Sequence, residues 1–222
     1  MAEAVTGPEA YDAGPYVPQR AGLEELREAA AGCRGCPLYG PATRTVFGSG
    51  DASARVVLIG EQPGDQEDRR GLPFVGPAGR VLMRAVDEAG IDPTETYVTN
   101  AVKHFKFALT GRGKRRIHKP PSLRETAACK PWLDAELTLL DPEVVVTLGA
   151  TAGKALLGSG FRVTRERGVP MAGPPGGAAP GGPGPVLVAT IHPSAVLRAE
   201  DERERVYAGL VADLRVAAGA LR

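Results

Sequence analysis

Four short apolar runs, Val56–Ile59, Tyr97–Thr99, Val144–Leu148 and Val186–Thr190, do most to limit what this chain can fold into. They are too short to be self-burying helices, and they do not alternate apolar with polar. Such runs are strands covered on both faces. Helical patterns lie around them. Gly22–Ala31 (GLEELREAAA) and Ala78–Ala89 (AGRVLMRAVDEA) carry a helical period. Ser122–Leu140 follows Pro121 and opens with a capping box, Ser122 with Glu125, in which each side chain takes up a free backbone N–H of the other residue. Thr151–Leu157 and Asp201–Ala220 complete the set. Strands alternating with helices predict an α/β three-layer sandwich, with a central, mainly parallel four-stranded sheet and helices on both faces.

The 222 residues fit one domain, expected over residues 21–222. Residues 1–20, rich in Pro, Gly and Ala, are expected to be a mobile arm, and residues 173–185 (GPPGGAAPGGPGP) a flexible surface loop. No run approaches the roughly 20 apolar residues of a membrane span, and the start lacks a basic-then-apolar leader. Three cysteines, an odd number, argue against a disulfide framework and for a reducing compartment, so a cytoplasmic location is expected. Neither GxGxxG nor GxxxxGK[ST] occurs, which argues against a nucleotide cofactor. The formal net charge is +1, so any affinity for nucleic acid must come from local charge.

In open parallel sheets ligands bind beyond the carboxyl ends of the strands. Glu61 follows the first run, Asn100 the second, Gly149 the third and His192 the fourth. A carboxylate, an amide and an imidazole therefore converge on one cleft. The turn after the first strand, GEQPGDQEDRRGLPFVGPAGR, adds Gln62, Asp65 and the flat face of Phe74.

Between the second and third strands lies AVKHFKFALTGRGKRRIHK, residues 101–119, with seven cations and no acid. Its glycines break a helix, which predicts a basic loop suited to phosphates, with Lys114, Arg115, Arg116 and Lys119 as DNA contacts and Arg198 as a further one. His118 stands inside that run. Neighbouring cations favour its neutral, nucleophilic form. Cys33 and Cys36 form a C-x-x-C pair that Cys129 could complete as metal ligands.

The series GEQPG, LPFVGPAG, YVTNAVK, LGATA and HPSAVLR, in this order over roughly residues 33–215, resembles the iron–sulfur uracil-DNA glycosylases. The insertion KRRIHK resembles the distinguishing loop of their UdgX-type members. The resemblance implies a metal subregion held by Cys33, Cys36, His104 and Cys129, with His104 where the family has a further cysteine. A 4Fe–4S cluster is implied, and three thiolates with one imidazole equally suit zinc. It further implies that uracil in DNA, single-stranded by preference, stacks on Phe74 and bonds to Asn100. His192, with backbone amides near Gln62, would stabilise the departing anion, and Glu61 the cationic sugar. Asp65 would orient Glu61 or His118. His118 would then bond to the sugar, one protein consumed per uracil. The alternatives are a glycosylase with many turnovers and a metal-stabilised DNA-binding module without chemistry. A monomer suits a reader of single lesions.

Overall fold

The structure is a computed structural model that describes residues 11–111, 115–173 and 184–222. In chain order its elements are α1 (Leu23–Ala31), β1 (Ser49–Gly50), β2 (Val56–Gly60), α2 (Asp65–Arg70), α3 (Pro77–Glu88), β3 (Thr96–Asn100), β4 (Phe107–Thr110), β5 (Arg115–His118), α4 (Leu123–Leu140), β6 (Val144–Leu148), α5 (Ala150–Leu157), α6 (Val163–Glu166), β7 (Pro170–Ala172), β8 (Val186–Thr190), α7 (Ser194–Arg198) and α8 (Arg203–Ala218).

The main sheet has the order β1-β3-β2-β6-β8-β7. Its four central strands are the four expected from the apolar runs, and they are mutually parallel. Two short antiparallel strands, β1 and β7, extend the edges, so the sheet has six strands rather than four. Both edge strands are very short, Ser49–Gly50 and Pro170–Ala172, which leaves too little pattern to mark them as strands in the sequence.

Alternate residues of each strand go to opposite faces. Val56, Leu58, Val144, Val146 and Val188 pack with Leu82 and Val86 of α3 and Leu210 and Leu214 of α8. Val57, Ile59, Tyr97, Val145 and Leu187 pack with Leu133, Leu137 and Leu140 of α4 and Ala152 of α5. The three-layer sandwich is therefore present as expected. Each fully buried Leu or Val contributes about 1.5–3 kcal/mol through removal of apolar surface from water. The capping box of α4 is formed: Ser122 Oγ accepts from Glu125 N, and Glu125 Oε2 accepts from Ser122 N at 2.6 Å.

A third apolar group joins α1 to α4 and holds Cys33, Cys36, Cys129 and Trp132. Ala13 is buried in this group, and its N–H donates to the Ala128 carbonyl at 2.9 Å. The expected arm of residues 1–20 thus divides, with Tyr11, Ala13 and Val17 packed on the domain and residues 1–10 outside the described residues. Of the expected flexible loop, residues 174–183 are outside the described residues. Its ends, Gly173 and Pro185, are hydrogen-bonded where β7 meets β8.

Candidate functional site

Beyond the carboxyl ends of the central strands lies a cleft of about 690 Å³. Glu61, Phe74, Asn100, His118, His192 and Arg198 line it together with Gln62 and Asp65, so the cleft gathers every residue expected for catalysis and base binding. The register explains part of this. Gly60 and Asn100 are partners across the parallel pair β2–β3, so the Asn100 amide lies over Gly60. A Cβ at Gly60 would stand 2.3 Å from Asn100 Oδ1 and 2.7 Å from Phe74 Cζ, so only glycine admits both side chains. Phe74 has φ +53°, a left-handed conformation costly for an aromatic residue. It is held there because Gly79 packs against its carbonyl and because Glu67 Oε1 accepts from Gly76 N at 2.7 Å.

His192 is fixed as one tautomer. Ser194 N donates to its Nδ1 at 3.1 Å, so that nitrogen is an acceptor and Nε2 carries the proton. The Ser194 hydroxyl lies 2.7 Å from the same Nδ1 and itself accepts from Arg198 Nη1 at 2.9 Å. Burial pushes the ring's pKa down to about 4, although Glu61 opposes the shift. His192 is therefore a neutral hydrogen-bond donor at neutral pH. Arg198, expected as a phosphate contact, stands in this chain at the cleft wall.

Glu61 is partly buried, and burial raises its pKa. Hydrogen bonds from His118 and Thr151 and the nearby His192 outweigh that and leave the carboxyl below its usual range. His118 Nε2 lies 3.3 Å from Glu61 Oε1, and the Thr151 hydroxyl donates to Oε2. The nearest charged partner of His118 is thus a carboxylate and not one of the cations beside it in sequence. Its side chain is 50% exposed, open to a nucleotide entering the cleft.

The segment expected as a basic loop is instead a hairpin, β4–β5, with Phe107 opposite His118. Gln62 anchors its base. Gln62 Nε2 donates to the carbonyls of Lys119 (3.0 Å) and Lys106 (3.3 Å), and Gln62 Oε1 accepts from Lys106 N at 3.0 Å. The Gln62 side chain thus holds the hairpin rather than the base. Arg116 lies over the rings of Phe107 (5.0 Å) and Phe105 (5.5 Å) and bonds to Asp65, Asp68 and Thr43. Asp65 accordingly meets Arg116 and Arg69, not Glu61 or His118.

Three of the expected seven cations are neutralised within the fold. Lys103 pairs with Glu136, Lys106 with Glu125 and Arg116 with the two aspartates. Arg115 and Lys119 are exposed, and Arg112 and Lys114 lie outside the described residues. A segment's charge in sequence overstates what it offers to phosphates when acids distant in the chain fold against it.

Cys33, Cys36 and Cys129 are buried in one apolar group, unpaired as disulfides and close enough to interact electrostatically. Burial pushes the Cys129 thiol up to about 12 and raises Cys36 as well, so these sulfurs become thiolates only beside a strong positive centre. N–H groups already point at two of them: Trp132 Nε1 to Cys33 Sγ and Lys103 N to Cys129 Sγ, both 3.3 Å. These donors suit a sulfur-ligated group. His104 is buried, and its Nε2 lies 2.9 Å from Thr45 Oγ1. Among the described residues no three His, Cys, Asp or Glu side chains meet around a point fit for a single metal ion.

Thr151, Ser194 and Glu67 were missed in the sequence. Ser194 was legible from its spacing, two residues after a strand-end histidine. Thr151 acts on Glu61, 90 residues away, and left no local signal, while Glu67 acts within its own turn, nine residues from Gly76. Among the described residues no helix is long and apolar enough to cross a membrane.

Comparison with known proteins agrees with the geometry. A profile described as "Uracil DNA glycosylase superfamily" matches residues 47–215. The chain is 34% identical over 179 residues to the Type-4 uracil-DNA glycosylase of Thermotoga maritima, covering 79% of this chain and 83% of that protein. It is 32% identical over 151 residues to the Type-4 enzyme of Sulfurisphaera tokodaii, covering 66% of this chain and 64% of that one. It is also 36% identical over 129 residues to the Type-5 enzyme of Thermus thermophilus, covering 56% and 58%. With a parallel α/β sheet, a strand-end cleft and a match over most of its length, the chain belongs to the uracil DNA glycosylase superfamily.

Proposed function

We propose that this protein excises uracil from DNA, single-stranded by preference, and captures the resulting deoxyribose through His118. The observation that carries the capture is the 3.3 Å contact between His118 Nε2 and Glu61 Oε1, at the cleft that also holds Asn100 and His192. Uracil would be extruded into the cleft, stack on Phe74 and bond to Asn100 along its Watson–Crick edge. When the N-glycosidic bond breaks, its electron pair leaves with uracil. The Nε2–H of His192, held neutral and aimed by Ser194, would stabilise that anion. Glu61, ionised, would stabilise the positive sugar. A ring nitrogen of His118 then bonds to C1′, and the proton the ring must lose passes to Glu61. The product is a neutral alkylated imidazole with no group placed to expel it.

Cys33, Cys36 and Cys129, with His104 as fourth ligand, would hold a 4Fe–4S cluster. Bound there, it would join α1 to α4 and supply structure, with no step of the excision assigned to it. Arg115 and Lys119, on the rim of the hairpin, are the described cations best exposed to phosphate.

The test is a denaturing gel of stoichiometric protein with uracil-containing single-stranded DNA, followed by mass spectrometry of the shifted band. One adduct per protein, on His118, is the expected result. Many uracils released per protein without a shifted band would establish a turnover enzyme instead. Binding indifferent to uracil, with none released, would establish a module without chemistry.

A further inference from the structure

Beneath the cleft lies an ion pair that the excision chemistry does not use. Lys103 and Glu136 have side chains 1% and 0% exposed, and no other ion pair among the described residues is so completely enclosed. Burying two charges is costly unless every proton and lone pair is engaged. Here they are. The three protons of Lys103 Nζ go to Glu136 Oε2, to Thr99 Oγ1 at 2.7 Å and to the Asn100 carbonyl at 2.9 Å. Glu136 Oε1 accepts from Gly48 N (3.1 Å), Tyr97 OH (3.0 Å) and Thr99 Oγ1 (2.9 Å).

One of these bonds has a consequence at the cleft. Asn100 ends β3, and the ammonium of Lys103 closes the turn Asn100–Lys103 back onto the Asn100 carbonyl. The backbone of the same lysine is tied on its other side, Lys103 N donating to Cys129 Sγ on α4. The Asn100 side chain has little latitude, since its Oδ1 already lies over the Gly60 backbone. A small rotation of the Asn100 peptide would therefore turn the amide away from a base stacked on Phe74.

We infer that Lys103 is a positioning residue for base selection: anchored by Glu136 and by the Cys129 sulfur, it fixes the Asn100 peptide and so aims the Asn100 amide. This rests on Asn100 as the reader of uracil. It predicts that loss of the ammonium weakens recognition of the base while leaving attachment to the DNA strand alone.

The experiment compares Lys103→Met/Glu136→Gln with Glu136→Asp and Asn100→Ala. The first removes both charges together, and its new amide can still serve Thr99 and Tyr97. The second keeps both charges and draws the ammonium away from Asn100. Each protein is checked for folding by thermal melting. It is then assayed for affinity toward free uracil, affinity for uracil-containing single-stranded DNA and single-turnover excision. For the double variant the expected result is about tenfold weaker binding of free uracil and about ten- to a hundredfold slower excision at saturating DNA. DNA affinity should stay within about twofold, because the phosphate contacts are untouched. Glu136→Asp should shift the same quantities in the same direction by less. If Asn100→Ala is impaired while a folded double variant, or Glu136→Asp where the double variant does not fold, excises and binds uracil like the parent, the role of Lys103 is overturned alone. If Asn100→Ala binds uracil normally, the reading of Asn100 falls and the role of Lys103 falls with it.

Discussion

His118 and His192 are two imidazoles of one cleft held in different surroundings. His192 has its Nδ1 occupied by Ser194 and its charged form disfavoured by burial, so it can only donate from Nε2. His118 is half-exposed against a carboxylate. Replacing His118 with Ser should abolish the covalent band on a denaturing gel, while room for water restores repeated excision. Released uracil per protein rising well above one would be the measure. The depressed pKa of His192 sets a pH expectation. Its neutral form should persist through the ordinary histidine range near 6.5 and be lost only toward about 4. Single-turnover excision by His118→Ser should therefore hold as pH falls through 6.5 and decline only near the lower value. A midpoint at 6.5 would contradict the assignment. The same linkage makes the fold less stable on acidification across that window, because the unfolded chain takes up the proton first.

At the scale of elements, the β4–β5 hairpin carries His118, the proposed nucleophile, and its hold on the domain comes from side chains outside it. Gln62 occupies the main-chain groups at its base, and Arg116 is gripped by Asp65 and Asp68. Gln62→Ala should loosen the hairpin without touching the base, slowing adduct formation by about tenfold while excision falls less. A time course of shifted band against released uracil separates the two. Arg116→Ala leaves the wholly buried carboxylate of Asp68 without its counter-charge, with the Thr43 N–H as a remaining donor. The cost should be about 3 kcal/mol, seen as a fall in Tm of roughly 6–12 °C in thermal melting.

For the whole molecule, the internal pairing of Lys103, Lys106 and Arg116 bears on DNA affinity. Seven phosphate-facing cations would give a log–log salt slope of about −5 on single strands, whereas the four left after these pairings should give about −3 or shallower. Titrating uracil-free single-stranded DNA at several salt concentrations measures this. The thiol region joins α1 to α4, and none of its three cysteines lines the cleft. Cys36→Ser should accordingly lower Tm and strip the visible absorbance of the proposed cluster, with excision lost only in proportion to the protein unfolded.

By itself the sequence determined the architecture and the address of the site. Apolar runs without alternation must be buried on both faces, which makes a parallel sheet, and a parallel sheet puts Glu61, Asn100 and His192 at one end. The capping box and the helical periods were legible because their partners lie within one turn of each other. The edge strands β1 and β7, the packing of residues 11–17 and the hairpin were not, since each depends on a partner distant in sequence. Tertiary structure alone decided the duties of charged and polar side chains. It sent Gln62 to the hairpin and Asp65 to Arg116, and it took Lys103 out of water altogether. Charge acts through space, so a cation's role is set by whichever carboxylate the fold brings within reach.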